Sequence, residues 1–446
     1  MKIHPNDERL EQFALSLGGG HQDLLRHLAA CIRCRARLHL LSSPEPRSAA
    51  RPVQPRTESE YGVALERSLQ NVLRRAMTLD REREEAQALF VELMEQPPEQ
   101  REVLLCNGRR FLTWGLFELL VNRSWEVCIR DPGATEELGF LALRLSSLLD
   151  TSRYGAELIQ DFRARIWGYI SNARRLRSDL HGAEEAFVRA FDHLQRGTGD
   201  PNEQALLLDL KSSLLRDERR FPEALKLLQR AAFIFSKNGE QHRAGRSMFK
   251  LSVVHNQSGH PERAVPMLLA ALDLIDAGQE PRLLLSARHN LTVYLVDLGR
   301  CEEARSEYHN THSLYRLFTD AWTKNRRQWV KGRIAYGLGQ LAQAESLLLA
   351  ARDGFLAEGV PYDTALVALE LAVLYARQGR TAELKRVAEE LVPVFASRQI
   401  HREALAALAF FRQAVAAERA SLELVVRVAS FLKQAQHDPG LRFQQA

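Results

Sequence analysis

A chain of 446 residues, 45% hydrophobic and 26% charged, can bury an extensive core, which excludes a wholly disordered protein. Its 61 Lys and Arg stand against 56 Asp and Glu, and the net charge of +5 is spread along the chain rather than gathered into the basic stripe with interleaved aromatics that nucleic acid selects. Five scattered cysteines exclude a disulfide framework, and the lack of an apolar run of about 18 residues or of a signal-type N-terminus points to a cytoplasmic protein without a membrane span.

Residues 1–40 read as a small unit of two helices, DERLEQFALSL and HQDLLRHLAACIRCRARLHLL, broken by the glycines Gly18 to Gly20. In the second, His27, Cys31 and Cys34 stand at i, i+4 and i+7, which puts three metal-capable side chains on one narrow helical face. Zinc takes four nitrogen or sulfur ligands in a tetrahedron, and a unit this short buries too little apolar surface to fold unaided. A structural Zn2+ is therefore expected, with His4 ahead of the first helix as fourth ligand; His21 is rotated off the stripe, and His39 stays open as an alternative. The set His4 with His27-Leu-Ala-Ala-Cys31-Ile-Arg-Cys34 resembles the zinc-binding anti-sigma-factor domain of bacteria. The resemblance implies a module that holds a sigma factor away from RNA polymerase, while the triple glycine departs from the family pattern.

Residues 41–62, rich in Pro, Ser and Arg without apolar periodicity, predict a linker. Helical patterns resume over 63–160, with breaks such as Pro97 and Pro98, and read as the irregular cap of a helical array. Phe111, Trp114, Phe117 and Trp125 are expected in its core.

The span 161–440 carries an internal repeat. Gly259, Gly299, Gly339 and Gly379 recur every 40 residues, and five positions after each stands Ala264, Ala304, Ala344 or Leu384, with the ladder continuing to Ala224 and Leu424. A constant period in this range means a stack of one supersecondary unit. Apolar residues at helical spacing on both sides of each glycine make that unit a helix pair, the glycine ending the first helix. Small residues such as Ala264 and Ala271, with Leu268 between them, let two helices approach closely. This pattern resembles the tetratricopeptide repeat, with Trp167, Ile170, Ala183, Phe187 and Ala190 as a first copy. The period is 40 rather than the family's roughly 34 residues, an excess assigned to longer helices or to inter-repeat turns such as GEQHRA and GVPYDT. The resemblance implies an all-α superhelical array whose first helices line a concave groove; Asn256, His289, Trp329, Arg333 and Tyr336 fall at lining positions. Trp329, Arg333 and Tyr336 make either a hot-spot-like patch for a peptide or helix, or, for Trp329, a packing contact between helices.

No phosphate-cradling loop, nucleophile elbow or His-Glu-x-x-His motif is present, so a non-enzymatic regulatory scaffold is expected. Its zinc module would bind a sigma factor and its array a second protein. A repeat adaptor of a bacterial assembly with a purely structural zinc, and a nucleic-acid-binding regulator, are the alternatives.

Overall fold

The computed structural model describes residues 58–396, 411–416 and 421–435, together with His27, Leu408, Arg442 and Phe443. The chain divides into a unit of residues 1–76 and a unit of residues 77–446. Every regular element among the described residues is a helix, and none is long and apolar enough to cross a membrane. Helix α1 (Glu58–Met94) begins at Glu58, so positions 58–62 of the stretch read as linker are helical.

Helices α2 (Pro98–Asn107), α3 (Trp114–Val127), α4 (Pro132–Leu148) and α5 (Thr151–Tyr154) are unequal in length and form an irregular block. Phe111, Trp114 and Phe117 are buried in its core and Trp125 is half-buried against it, where its ring lies 4.9 Å from that of Tyr169. Glu82 of α1 is buried here as a structural acceptor, taking hydrogen bonds from the Trp114 amide (2.8 Å) and the Tyr154 hydroxyl (3.0 Å).

From there the helices pair. They are α6 (Ala156–Leu176), α7 (Leu180–Gln195), α8 (Pro201–Asp217), α9 (Phe221–Lys237), α10 (Gln241–Gln257), α11 (Pro261–Leu272), α12 (Pro281–Asp297) and α13 (Cys301–Asn310). After the short α14 (His312–Arg316) come α15 (Ala321–Gly337), α16 (Leu341–Ala357), α17 (Pro361–Arg377), α18 (Thr381–Ala396) and α19 (Leu422–Ala435). Each first helix packs on its own partner and on the second helix before it, as in α15 with α16 and α16 with α17, and first helices of neighbouring pairs also meet.

From α8 to α18 helices begin every 20 positions, at 201, 221, 241 and so on to 381, with α14 an added short turn. Because α8, α9, α10, α12, α15, α16 and α17 are each 17 residues long, the turns between full-length neighbours hold three residues. The 40-residue period is thus two equal halves, and its excess over the common repeat lies in the helices: GEQHRA and GVPYDT contribute most of their residues to α10 and α17.

Most halves end alike, with a positive φ at residue 219, 239, 259, 299, 339, 359 or 379, whereas α11 and α13 end at right-handed caps, Asp273 and Thr311. At Gly299 (φ +74°) the amide donates to Val296 O and the Arg300 amide to Leu295 O, both at 2.9 Å, the paired bonds of a left-handed helix stop. At Arg219 (φ +60°) a non-glycine residue holds the same conformation, with Arg220 N donating to Leu215 O at 2.8 Å. The small-residue ladder is fully buried at Ala183, Ala224, Ala264, Ala304 and Ala344, with Phe187, Leu228, Leu268, Tyr308 and Leu348 filling the space beside it. Helices come close enough on this face that a Cβ at Gly332 would stand 2.9 Å from Leu348.

Candidate functional site

First helices of successive pairs converge on one cavity of about 550 Å³. Asn256 of α10, His289 and Val293 of α12, Arg326, Trp329 and Arg333 of α15, and Leu366 of α17 line it, and Lys433 of α19 closes one side. A second cavity of about 200 Å³, lined by Phe249, Leu285, Tyr315 and Trp322 among others, adjoins it, and His289 and Arg326 belong to both walls.

Four of the five groove positions read from the sequence, Asn256, His289, Trp329 and Arg333, therefore share one cavity. Tyr336 is not among its lining residues. It packs against the core of α15 to α19, with the Arg377 guanidinium 4.9 Å over its ring and its hydroxyl sealed from solvent.

Trp329 both packs and lines. Its ring meets Phe355 edge-on at 5.9 Å, its Nε1 donates to Glu370 Oε2 at 2.7 Å, and part of the indole faces the cavity. Arg333 spans two carboxylates, Asp297 at 2.6 Å and Glu370 at 3.1 Å. Burial disfavours its charge, but Glu370 and Asp297 more than offset this and raise its pKa. Lys433 Nζ lies 3.8 Å from Glu370, so this carboxylate ties together α15, α17 and α19.

His289 is buried with Nδ1 2.6 Å from the Tyr315 hydroxyl. Burial, with Arg326 and Arg333 adding repulsion, pushes its pKa well below the usual imidazole value, so the ring is neutral. Burial likewise pushes the Tyr315 hydroxyl up. The pair is a polar anchor between α12 and α14.

Arg326 is the residue that the sequence reading passed over. It lies three positions before Trp329 and seven before Arg333, the spacing of one helical face, so a signal for it was present. What spacing does not carry is its pairing among the described residues. Its Nε is sealed from solvent without a hydrogen-bond partner, and its guanidinium lies 4.7 Å over the Trp322 ring.

Of the candidate zinc ligands, His27 is among the described residues, helical and half-buried; His4, Cys31 and Cys34 lie outside them. Among the described residues no group of three or more His, Cys, Asp or Glu is arranged to hold a metal.

No model of a known protein family matches the chain, and no curated protein matches it by sequence. Solved structures do resemble it. The Rap protein complexed with Competence and Sporulation Factor aligns with a TM-score of 0.51 and 13% identity over 72% of this chain and 87% of that one. The apo form of RapI gives 0.52 and 13% over 83% and 99%, and aspartyl phosphate phosphatase F from Bacillus subtilis gives 0.50 and 12% over 88% and 96%. At such identities the likeness concerns the fold alone, a tetratricopeptide-like superhelix of paired helices.

Proposed function

We propose that this protein is a non-enzymatic regulatory scaffold whose groove docks an extended peptide or helix of a partner protein. The observation that carries this is the convergence of α10, α12, α15 and α17 on one cavity that mixes an indole, aliphatic side chains and guanidinium groups. Such a mixture supplies apolar anchoring with a few orienting polar groups, the composition of peptide-binding hot spots. A similar structure was obtained with Competence and Sporulation Factor bound, which agrees with a docking role for this architecture.

The N-terminal module adds a finer reading. Two imidazoles and two thiolates, from His4, His27, Cys31 and Cys34, are a donor set that suits a structural Zn2+, and the module so held would bind a sigma factor. The array would then dock or sense a second partner.

Site-specific photocrosslinking in the native host tests the groove. A photoreactive residue at Lys433, exposed beside the cavity, should capture a discrete partner that the same residue at Phe233, 68% exposed on the second helix α9, does not. Equal capture from both positions, or none from the groove, overturns the reading.

A further inference from the structure

The cations lining the two cavities are not equivalent. Arg333 is matched by Asp297 and Glu370, Lys433 lies beside Glu370, and Arg282 reaches Asp320 at 2.8 Å. Arg326, at the wall the cavities share, has no carboxylate within ion-pair distance and no hydrogen bond to any described residue. Trp322 covers one face of its guanidinium, and Asp363 acts on it electrostatically. Burial pushes the Asp363 carboxyl up and Arg326 acts to lower it, but the two do not form an ion pair. Burial in turn lowers the pKa of Arg326.

The Nε of Arg326 is sealed in the wall without an acceptor while the residue itself is half-buried at the cavity, and a partly desolvated guanidinium gains when an incoming anion pairs with its open end. Resting on the docking function above, we infer that Arg326 is the specificity residue of the groove, receiving a carboxylate of the bound peptide in a forked pair while an apolar neighbour of that carboxylate enters the Phe249, Leu285 and Trp322 cavity. The anion is a carboxylate rather than a phosphate because Arg333, Lys433 and Arg282 are already matched by acids, which leaves the guanidinium of Arg326 to balance a single negative charge. The planar fork of arginine matches two carboxylate oxygens at once.

The full-length protein is mixed with four pools of N-acetylated heptapeptides, randomised except at the centre, and the retained peptides are read by ultrafiltration and mass spectrometry. The pools carry central Glu, Gln or phosphoserine with amidated C-termini, and central Gln with a free C-terminal acid. Either the Glu pool or the free-acid pool should be retained on the order of tenfold or more over the amidated Gln pool. Whichever it is tells a side-chain carboxylate from a terminal one. Arg326→Gln should abolish the preference and Arg326→Lys should leave part of it, with circular dichroism confirming that each variant folds. The comparison of pools on the unaltered protein needs no variant at all. Equal retention of all pools overturns the carboxylate assignment while leaving the docking function standing. Strongest retention of phosphoserine, or a preference that survives Arg326→Gln, also overturns it. Retention of no pool overturns both.

Discussion

Trp329 and Glu370, 41 positions apart on α15 and α17, are joined by a 2.7 Å hydrogen bond, and the same carboxylate receives Arg333. One acidic side chain therefore orients the aromatic and the guanidinium that face the groove, across the boundary between two repeats. The two readings of Trp329, packing contact and binding surface, are not exclusive in this geometry.

Trp329→Phe keeps the edge-on contact with Phe355 but loses the donor, and should cost about 1 kcal/mol in urea denaturation. Trp329→Ala also loses the packing and should cost about 2–4 kcal/mol. A melting curve of Trp329→Ala indistinguishable from the parent would assign the side chain to the partner alone.

Arg219 adopts the left-handed conformation that glycine holds at Gly239, Gly259, Gly299, Gly339 and Gly379. Arg219→Gly relieves that strain but loses the stacking on Phe221 at 5.0 Å, so a net gain of about 0.5–1 kcal/mol is expected. Gly299→Ala should cost about 1 kcal/mol although nothing crowds its Cβ position, because the penalty is conformational. Thermal melts of both variants decide the matter; a destabilised Arg219→Gly would mean that the arginine contacts outweigh the backbone strain.

Ala264 has no exposed surface between α11 and its neighbours. Ala264→Phe should destabilise the array by about 1–3 kcal/mol or more, because the close-packed seam cannot admit a ring without moving helix axes. Unchanged melting would contradict the seam.

His289 sets a pH dependence. Its folded pKa lies well below the imidazole value of about 6.5, so below that pH the unfolded chain binds a proton that the folded chain refuses. Stability should therefore fall as pH drops through about 6.5, by at most about 1.4 kcal/mol per pH unit from this group. His289→Gln should flatten this slope in urea titrations run between about pH 7.5 and about pH 5.5. An identical slope in the variant would remove His289 as the cause.

The N-terminal motif predicts one zinc ion per purified chain, held by His4, His27, Cys31 and Cys34. Cys31→Ser or Cys34→Ser should abolish it, His4→Ala should weaken it, and His21→Ala or His39→Ala should not. Affinity should fall with pH as protons compete for the thiolates. Metal analysis of freshly purified protein is the check; no zinc removes the module, and full zinc in His4→Ala transfers the fourth position to another ligand.

What the amino-acid order determined by itself was the architecture of the array: the 40-residue period, the glycines that stop the first helices, and the small residues at Ala264, Ala304 and Ala344 that let helices close up. These are consequences of helical periodicity and backbone conformation, which act within one turn or one hairpin and so leave a local trace. The resemblance to the tetratricopeptide repeat put Asn256, His289, Trp329 and Arg333 at lining positions, and these four border one cavity. Which of these groups is already satisfied was decided by tertiary structure. Arg333 finds Asp297 36 positions before it, Trp329 finds Glu370 41 positions after it, and Arg326 finds neither. Charge pairing depends on distances of a few ångströms between helices, and no residue spacing along the chain encodes them.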